Sequence, residues 1–397
     1  RKPLNPAAQD FSAERMMKTV SFLSGDDLKG RALGSRELDR AAEYIRQQFR
    51  EAGLMPAGDA RESYFQTWEV DDQAGQRKVF KNIVGVIPGR KPEWASQSIV
   101  VGAHYDHLGS SVAQDGKEEI YHGADDNASG VAVLLELARV MGGKPSPDRS
   151  VVFVAFTGEE DGRKGSRYYL ADQQRYGKHH ILGMVNIDTV GRLRNNKLLI
   201  LGAGSAREWE HIVRGAGHVS GIEVDLVSEE LDSSDQKSFQ EAGIPAVQFF
   251  SGAHVDYHRP TDTAEKIDAE GLVKVASVAK GVIEYLADRQ NPLTASITPE
   301  MTESEPKKER KVSFGIIPDF AYQGQGCRVA GVVQGSQAEN AGLREGDIVI
   351  GINAQVINKL RDFSDFLKTV NPGDSLSIIF LREGKQMTAE GTVVQRQ

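Results

Sequence analysis

Five short stretches of this chain carry residue types that could do hydrolytic chemistry: "GAHYDHLG" (102–109), "GADDNASG" (123–130), "GEEDGRKGS" (158–166), "NIDTVGR" (186–192) and "DYHRPTDTAEKID" (256–268). Taken singly, each has a plain explanation. Asp125 and Asp126 stand ahead of an apolar run, 131–140, where acidic side chains cap free N–H groups and suit a helix dipole. A cap needs one such residue, or two, and here histidines and carboxylates recur block after block. Zinc accepts imidazole and carboxylate without any thiolate. Two histidines and three carboxylates, one of them bridging, can hold two ions about 3.5–4 Å apart. A spare glutamate beside such ions could take a proton from water whose pKa the metals lower.

Such residues need elements that bring them together. Strands are expected at 98–104, 150–157, 181–188, 197–202 and 245–250, mostly continuous apolar runs of the kind buried on both faces. Helical periodicity is expected at 36–52, 129–141, 164–175, 206–219, 235–242 and 269–288. The alternation predicts an α/β domain over 1–290, a mostly parallel central sheet flanked by helices. His104 and Asp106 close the first strand, Glu159 and Glu160 follow the second, Asp188 ends the third and His258 follows the last. Ligand sites in open parallel sheets form outside the carboxyl ends of the strands, so these residues are expected to converge there.

A stretch at 291–311, rich in Pro, Thr, Ser and mixed charge, reads as a solvated linker. Beyond it, 312–397 reads as a small β-rich module, with strands at 328–334, 347–353, 375–381 and 386–395 and helices near 336–341 and 359–370. Length alone supports two or three domains. With 39% hydrophobic and 26% charged residues and a net charge of −8, the composition is that of an ordinary soluble protein without the basic stripe of a nucleic-acid binder. Cys327 is the one cysteine, which excludes an intrachain disulfide and a thiolate zinc site. No apolar run approaches the ~18 residues of a membrane span. The first residue is Arg1 rather than Met, and a trimmed export signal, with periplasmic or extracellular residence, is the expectation.

In order and local context, the five blocks resemble the signature blocks of the dinuclear-zinc aminopeptidase family, which includes bacterial leucyl aminopeptidases, glutamate carboxypeptidase, glutaminyl cyclase and the transferrin receptor ectodomain. The upstream segment "GRALGSRELDRAAEYIRQQFREAGL" (30–54) is similar to that family's N-terminal helix region. The resemblance implies two zinc ions, with Asp125 bridging, His104 and Asp188 completing one site, and Glu160 and His258 the other. It implies Glu159 as general base, Asp106 as the partner that orients the imidazole of His104, and a cis peptide between Asp125 and Asp126. Tyr257 resembles a tyrosine that steadies the oxyanion. Asp235 is expected to cap the helix it opens, and His107, His122, His179, His180 and His254 are expected at the surface or in loops. Arg163 stands where many members have an apolar residue.

The segments "SFGIIPDF", "VAGVVQGSQAENAGLREGDIVIGINAQVI" and "LRDFSDFLKTV" resemble a bacterial PDZ domain of the kind joined to exported proteases. That resemblance implies a loop at Ser313, Phe314, Gly315 and Ile316 that takes a peptide's C-terminal carboxylate on its backbone N–H groups. Rival chemistries lack their motifs: there is no HExxH helix and no GxSxG elbow, and "GAGSA" lacks dinucleotide spacing. The reading is therefore a metallo-aminopeptidase that holds a peptide's free α-amine near Glu159 and Asp188. Its rivals are carboxypeptidase or glutaminyl cyclase action on the same fold, with Arg192 and Arg259 as possible carboxylate grips, or a non-catalytic peptide-binding scaffold.

Overall fold

The computed structural model describes residues 10–71, 77–113, 116–172, 180–194, 197–229, 234–299 and 311–395. Contacts divide the chain into two compact units that part at residue 300, the short segment 252–257 grouping with the second. The expected linker is described only as far as 299 and again at 311.

In the larger unit the strands are β1 (Met55–Pro56), β2 (Phe65–Asp71), β3 (Arg77–Ile87), β4 (Ser98–His104), β5 (Ser110–Val112), β6 (Glu118–Ile120), β7 (Ser150–Phe156), β8 (Ile181–Ile187), β9 (Leu198–Leu201), β10 (Val224–Val227) and β11 (Ala246–Phe250). The helices are α1 (Ala13–Leu23), α2 (Arg36–Glu51), α3 (Gly130–Gly142), α4 (Lys164–Ala171), α5 (Trp209–Ser220), α6 (Gln236–Glu241) and α7 (Ala269–Asp288). The main sheet runs β1-β3-β7-β4-β8-β11-β9-β10, with β2 on β3, and β5 pairs with β6 apart from it. Its centre, β7-β4-β8-β11, is parallel, while β3 joins β7 and β9 joins β11 antiparallel.

Side chains alternate across a strand, so the continuous apolar runs must be covered on both faces. Ile99, Val101 and Ala103 pack with Val151, Phe153 and Ala155 into one cluster that α1, α2, α3, α5 and α7 cover. Val100, Val152, Val154 and Phe156 turn the other way, against Tyr169 and Leu170 of α4 and Phe239 of α6. Each Val, Ile, Leu or Phe among them contributes about 1.5–3 kcal/mol on full burial. Three layers result, helices over both faces of the sheet. The antiparallel pair β2 and β3 has no counterpart among the expected strands. β3 enters with exposed, charged residues and becomes continuously buried only from Asn82 onward, so its pattern changes midway and masks its period.

The smaller unit contains β12 (Val312–Ser313), β13 (Ile316–Pro318), β14 (Cys327–Val332), β15 (Ile348–Ile352), β16 (Gln355–Val356), β17 (Ser375–Arg382), β18 (Lys385–Thr392) and β19 (Val394–Gln395), with helices α8 (Gln337–Asn340) and α9 (Leu360–Leu367). Its sheet order is β13-β14-β15-β17-β18, with β16 on β15, and β12 pairs with β19. A separate core of Phe314, Val329, Val349, Phe363, Phe366, Ile378 and Phe380, among others, holds it together.

Candidate metal centre

The four parallel strands present their carboxyl ends at one edge. His104 is the last residue of β4, Asp188 the first after β8, Glu159 and Glu160 lie on the turn after β7, and His258 lies beyond β11. α3 carries the chain from β4 toward β7, so the irregular turn Ala124–Ser129 that precedes it reaches the same edge. His104 Nε2 lies 3.2 Å from Asp126 Oδ1 and 3.4 Å from Asp188 Oδ1. His258 Nε2 lies 3.0 Å from Asp126 Oδ2 and 3.2 Å from Glu160 Oε2. Two groups are compact enough to hold an ion, His104 with Asp126 and Asp188, and His107 with Asp126 and Glu160; ligand atoms in each lie within 4.8 Å of one another. Asp126 belongs to both, with one oxygen toward each.

This corrects the expectation that Asp125 bridges and precedes the cis peptide. The cis bond joins Asp126 to Asn127. Asp125 faces inward, where its Oδ1 accepts from the Gly191 N–H at 2.5 Å and from Ser129 Oγ at 3.0 Å. Asn127 fixes the other side of the turn: its Oδ1 accepts from the N–H groups of Gly130 and Thr189, and its amide donates to the Ile187 carbonyl. A Cβ at Gly130 would come within 2.2 Å of Asn127 Oδ1 and of the Ile187 carbonyl oxygen, so glycine is required there. The two neighbours shape the turn, and the acid between them faces the histidines.

The chemistry of the donor set fits metal ions. His104 Nε2 and Asp126 Oδ2 are buried and make no hydrogen bond among the described residues, although charged groups crowd around them. Burial opposes protonation of His104 and His258, yet Asp188 and Asp126 raise the first well above its usual range, and Glu160 and Asp126 raise the second to about 9. Burial likewise opposes ionisation of Asp126 and Glu160, but the surrounding histidines hold both carboxyls below their usual range. The cluster demands positive charge at its centre, which divalent cations would supply.

Burial raises Glu159 well above the ordinary carboxylate range; His104 opposes this, and the charges of Glu160, Asp235 and Asp188 add to it. Asp106 lies beneath this turn, and its carboxylate accepts from the Glu159 and Glu160 N–H groups at 3.2 and 3.4 Å. Toward His104 it offers its backbone oxygen, 3.3 Å from Nδ1, while its carboxylate stands 3.8 Å away. Asp188 is steadied by Thr189 Oγ and Gln248 Nε2.

Other expectations are corrected. Asp235 makes no cap hydrogen bond; it is fully buried near the cluster, and burial pushes its carboxyl to about 7. His107 is buried rather than superficial, with Nδ1 2.8 Å from Glu160 Oε1. His122 is partly buried and bonds the Ser24 carbonyl, and His180 is exposed; His179 lies outside the described residues. Arg163 is buried against Ser238 and Glu241. Arg192 meets Asp262 at 3.0 Å, and Asp262 also accepts from the Asp125 and Asp126 N–H groups. Tyr257 is 40% exposed.

Arg31 carried no expectation. It is fully buried at φ 49°, donates to the carbonyls of Leu23, Tyr105, His122 and Gly123, and is lowered to about 10 by burial against the pull of Asp126 and Asp106. It was legible only as the Arg of "GRALGS". In the smaller unit, Phe314 is buried, and Gly315 sits at φ 92°, where a Cβ would strike Ser336. The carbonyls of Phe314 and Gly315 are engaged by the Ala338 and Val333 N–H groups.

Known proteins resemble this chain in sequence and in fold. The chain is 31% identical over 227 residues to aminopeptidase YwaD of Bacillus subtilis (strain 168), a match that covers 54% of this chain and 46% of that one. It therefore spans about half the length of that relative. It is 28% identical over 311 residues to the uncharacterized protein YfbL of Escherichia coli (strain K12), covering 69% and 88%. In fold it is similar to an aminopeptidase from Aneurinibacillus sp. strain AM-1, with a TM-score of 0.57, 22% identity, and 74% and 97% of the two chains covered. It is similar in fold also to Porphyromonas gingivalis glutaminyl cyclase, with a TM-score of 0.55, 19% identity, and coverage of 69% and 98%. A PDZ domain matches residues 297–393, so the smaller unit is PDZ-like. Peptidase family M28 matches residues 82–283, just over half of the chain, and the chain belongs to that family.

Proposed function

We propose that the protein is a zinc-dependent aminopeptidase that removes N-terminal residues from peptides. The observation that carries this is Asp126, whose two oxygens face two separate histidines at the carboxyl edge of a parallel sheet. In this reading His104, Asp126 and Asp188 would hold one zinc ion, and Asp126, Glu160 and His258 the other. Bound there, the ions would supply Lewis acidity for the scissile carbonyl and for activation of water.

The chain's own residues do the rest. Glu159 takes a proton from the attacking water as its oxygen bonds to the carbonyl carbon, and passes that proton to the amine nitrogen as the C–N bond breaks. A carboxylate made more basic by burial suits proton transfer near neutral pH. Asp106 fixes the turn that carries Glu159 and Glu160. The α-amine of the substrate is held near Glu159 and Asp188. Arg192 is already engaged by Asp262, which leaves the exposed Arg259 as the other candidate grip for a substrate carboxylate.

The PDZ-like unit takes a peptide C-terminus at residues 313–316 and extends it along β13, which lies at the edge of its sheet.

Hydrolysis of aminoacyl-p-nitroanilides, with N-acetylated and C-terminal substrates alongside, tests the reading in wild type and Glu159→Gln with metal content recorded. The expected result is cleavage of free-amine substrates and a loss of about 10²–10⁴ in rate for the variant, with its metal retained. A protein that holds two ions and ignores every free-amine substrate moves the assignment to carboxypeptidase or cyclase chemistry.

A further inference from the structure

His107 has no role in the mechanism above, yet its side chain is 0% exposed beside the cluster. Its place is fixed from several directions. The backbone N–H donates to the Arg31 carbonyl at 3.1 Å, and the residue forms a parallel bridge with Ala32. Gly123 lies against the ring: a Cβ there would come within 2.6 Å of both Cγ and Cδ2. The ring cannot move toward that wall.

From this slot Nδ1 stands 2.8 Å from Glu160 Oε1, while the other oxygen, Oε2, stands 3.2 Å from His258 Nε2. The two oxygens of Glu160 have separate partners. His107 Nε2 is buried with no hydrogen-bond partner among the described residues, so a proton there would be a stranded donor, whereas a proton on Nδ1 meets Glu160 Oε1. The ring is the weaker candidate for direct ligation. His258 Nε2 lies 3.0 Å from Asp126 Oδ2, whereas His107 Nδ1 lies 3.9 Å from the same atom, and 2.8 Å to Glu160 is a hydrogen-bond length.

We propose that His107 is a positioning residue, which donates from Nδ1 to Glu160 Oε1 and so aims Oε2 at the second cation subsite. Partners of this kind orient a ligand and tune its basicity without touching the metal. The proposal rests on the two-ion reading above.

The test is metal binding by the full chain, measured by zinc content per chain across a series of chelator-buffered zinc concentrations. Wild type, His107→Leu and His107→Asn are compared, with the asparagine amide able to donate from nearly the same point as Nδ1. The expected result is an unchanged first affinity in all three, a second affinity weakened about 10–100-fold in the leucine variant, and recovery of most of that loss in the asparagine variant. Unchanged second affinity in the leucine variant overturns the proposal. So does an asparagine variant as weak as the leucine one, which makes the ring itself a ligand, or an equal loss of both ions, which makes the role structural. A wild type that saturates at one ion overturns the dinuclear reading and this proposal with it, and is recognised without any variant. Should His107→Leu fail to fold, His107→Gln, with its donor one bond further out, replaces it under the same criteria.

Discussion

Asp262 is buried at the centre of a small network that makes the metal centre possible. One of its oxygens faces Arg192 at 3.0 Å, and the other accepts from the Asp125 and Asp126 N–H groups at 2.9 and 3.1 Å. Removal of one member of a buried ion pair costs more than the pair contributes, because the remaining charge loses its compensation. Asp262→Ala is therefore expected to lower stability by about 3–5 kcal/mol, read by urea unfolding, and to weaken zinc binding. Arg192→Leu should lower stability too, while leaving the choice between free-amine and C-terminal substrates unchanged. A switch in that choice would make Arg192 a substrate grip. At this scale the sequence displayed the right blocks without the right atom within them. Asp125 and Asp126 are chemically identical neighbours, and tertiary contacts, from Asn127, Ser129, Gly191 and Asp262, decide which faces the histidines. His107 stood in plain view inside "GAHYDHLG", but burial of a histidine is a tertiary property that spacing does not carry.

Glu136 shows how an element far from the chemistry is seated. It lies in the middle of α3, buried, and accepts from the Ser12 N–H at 2.8 Å and from Arg15 and Arg139, so the start of α1 is tied to α3. Burial opposes ionisation of Glu136, but Arg139, Arg15 and the Ser12 N–H outweigh it and hold its carboxyl below the ordinary range. A carboxyl lowered in the folded state contributes stability above its unfolded pKa, near 4.5, and loses that contribution as pH falls through the folded value. Glu136→Gln is thus expected to destabilise by about 1–2 kcal/mol at pH 7, the arginines being partly screened by solvent. The gap from wild type should close as pH falls below 4.5, and a gap that persists in acid would locate the effect in packing instead. Elements such as β4 and α7 were legible because both faces of one and the long apolar face of the other are buried by the same domain, so hydrophobic pattern and tertiary burial agree. β2 and β3 were not, because β3 begins in solvent and ends in the core, while β2, paired antiparallel to it, runs from a buried Gln66 out to an exposed Asp71.

On the scale of the whole molecule, the two units have separate hydrophobic cores, one built around the parallel sheet and the other around Phe314, Phe363 and Phe380. Each is therefore expected to unfold as a cooperative unit of its own. The candidate metal ligands are drawn from the larger unit: His104, Asp126, Glu160, Asp188 and His258 hang on strands, turns or loops whose positions depend on that sheet. An ion that binds the folded state alone stabilises it by RT ln(1 + [L]/Kd), about 2.7 kcal/mol at a hundredfold excess over Kd. Scanning calorimetry of the full chain is therefore expected to give two transitions, only one of which moves down on dialysis against a chelator and returns when zinc is restored. The transition that stays put should match that of residues 311–397 prepared alone. A single transition that moves as a whole would mean that the units unfold as one, and two immobile transitions would remove the metal from the stability of the fold.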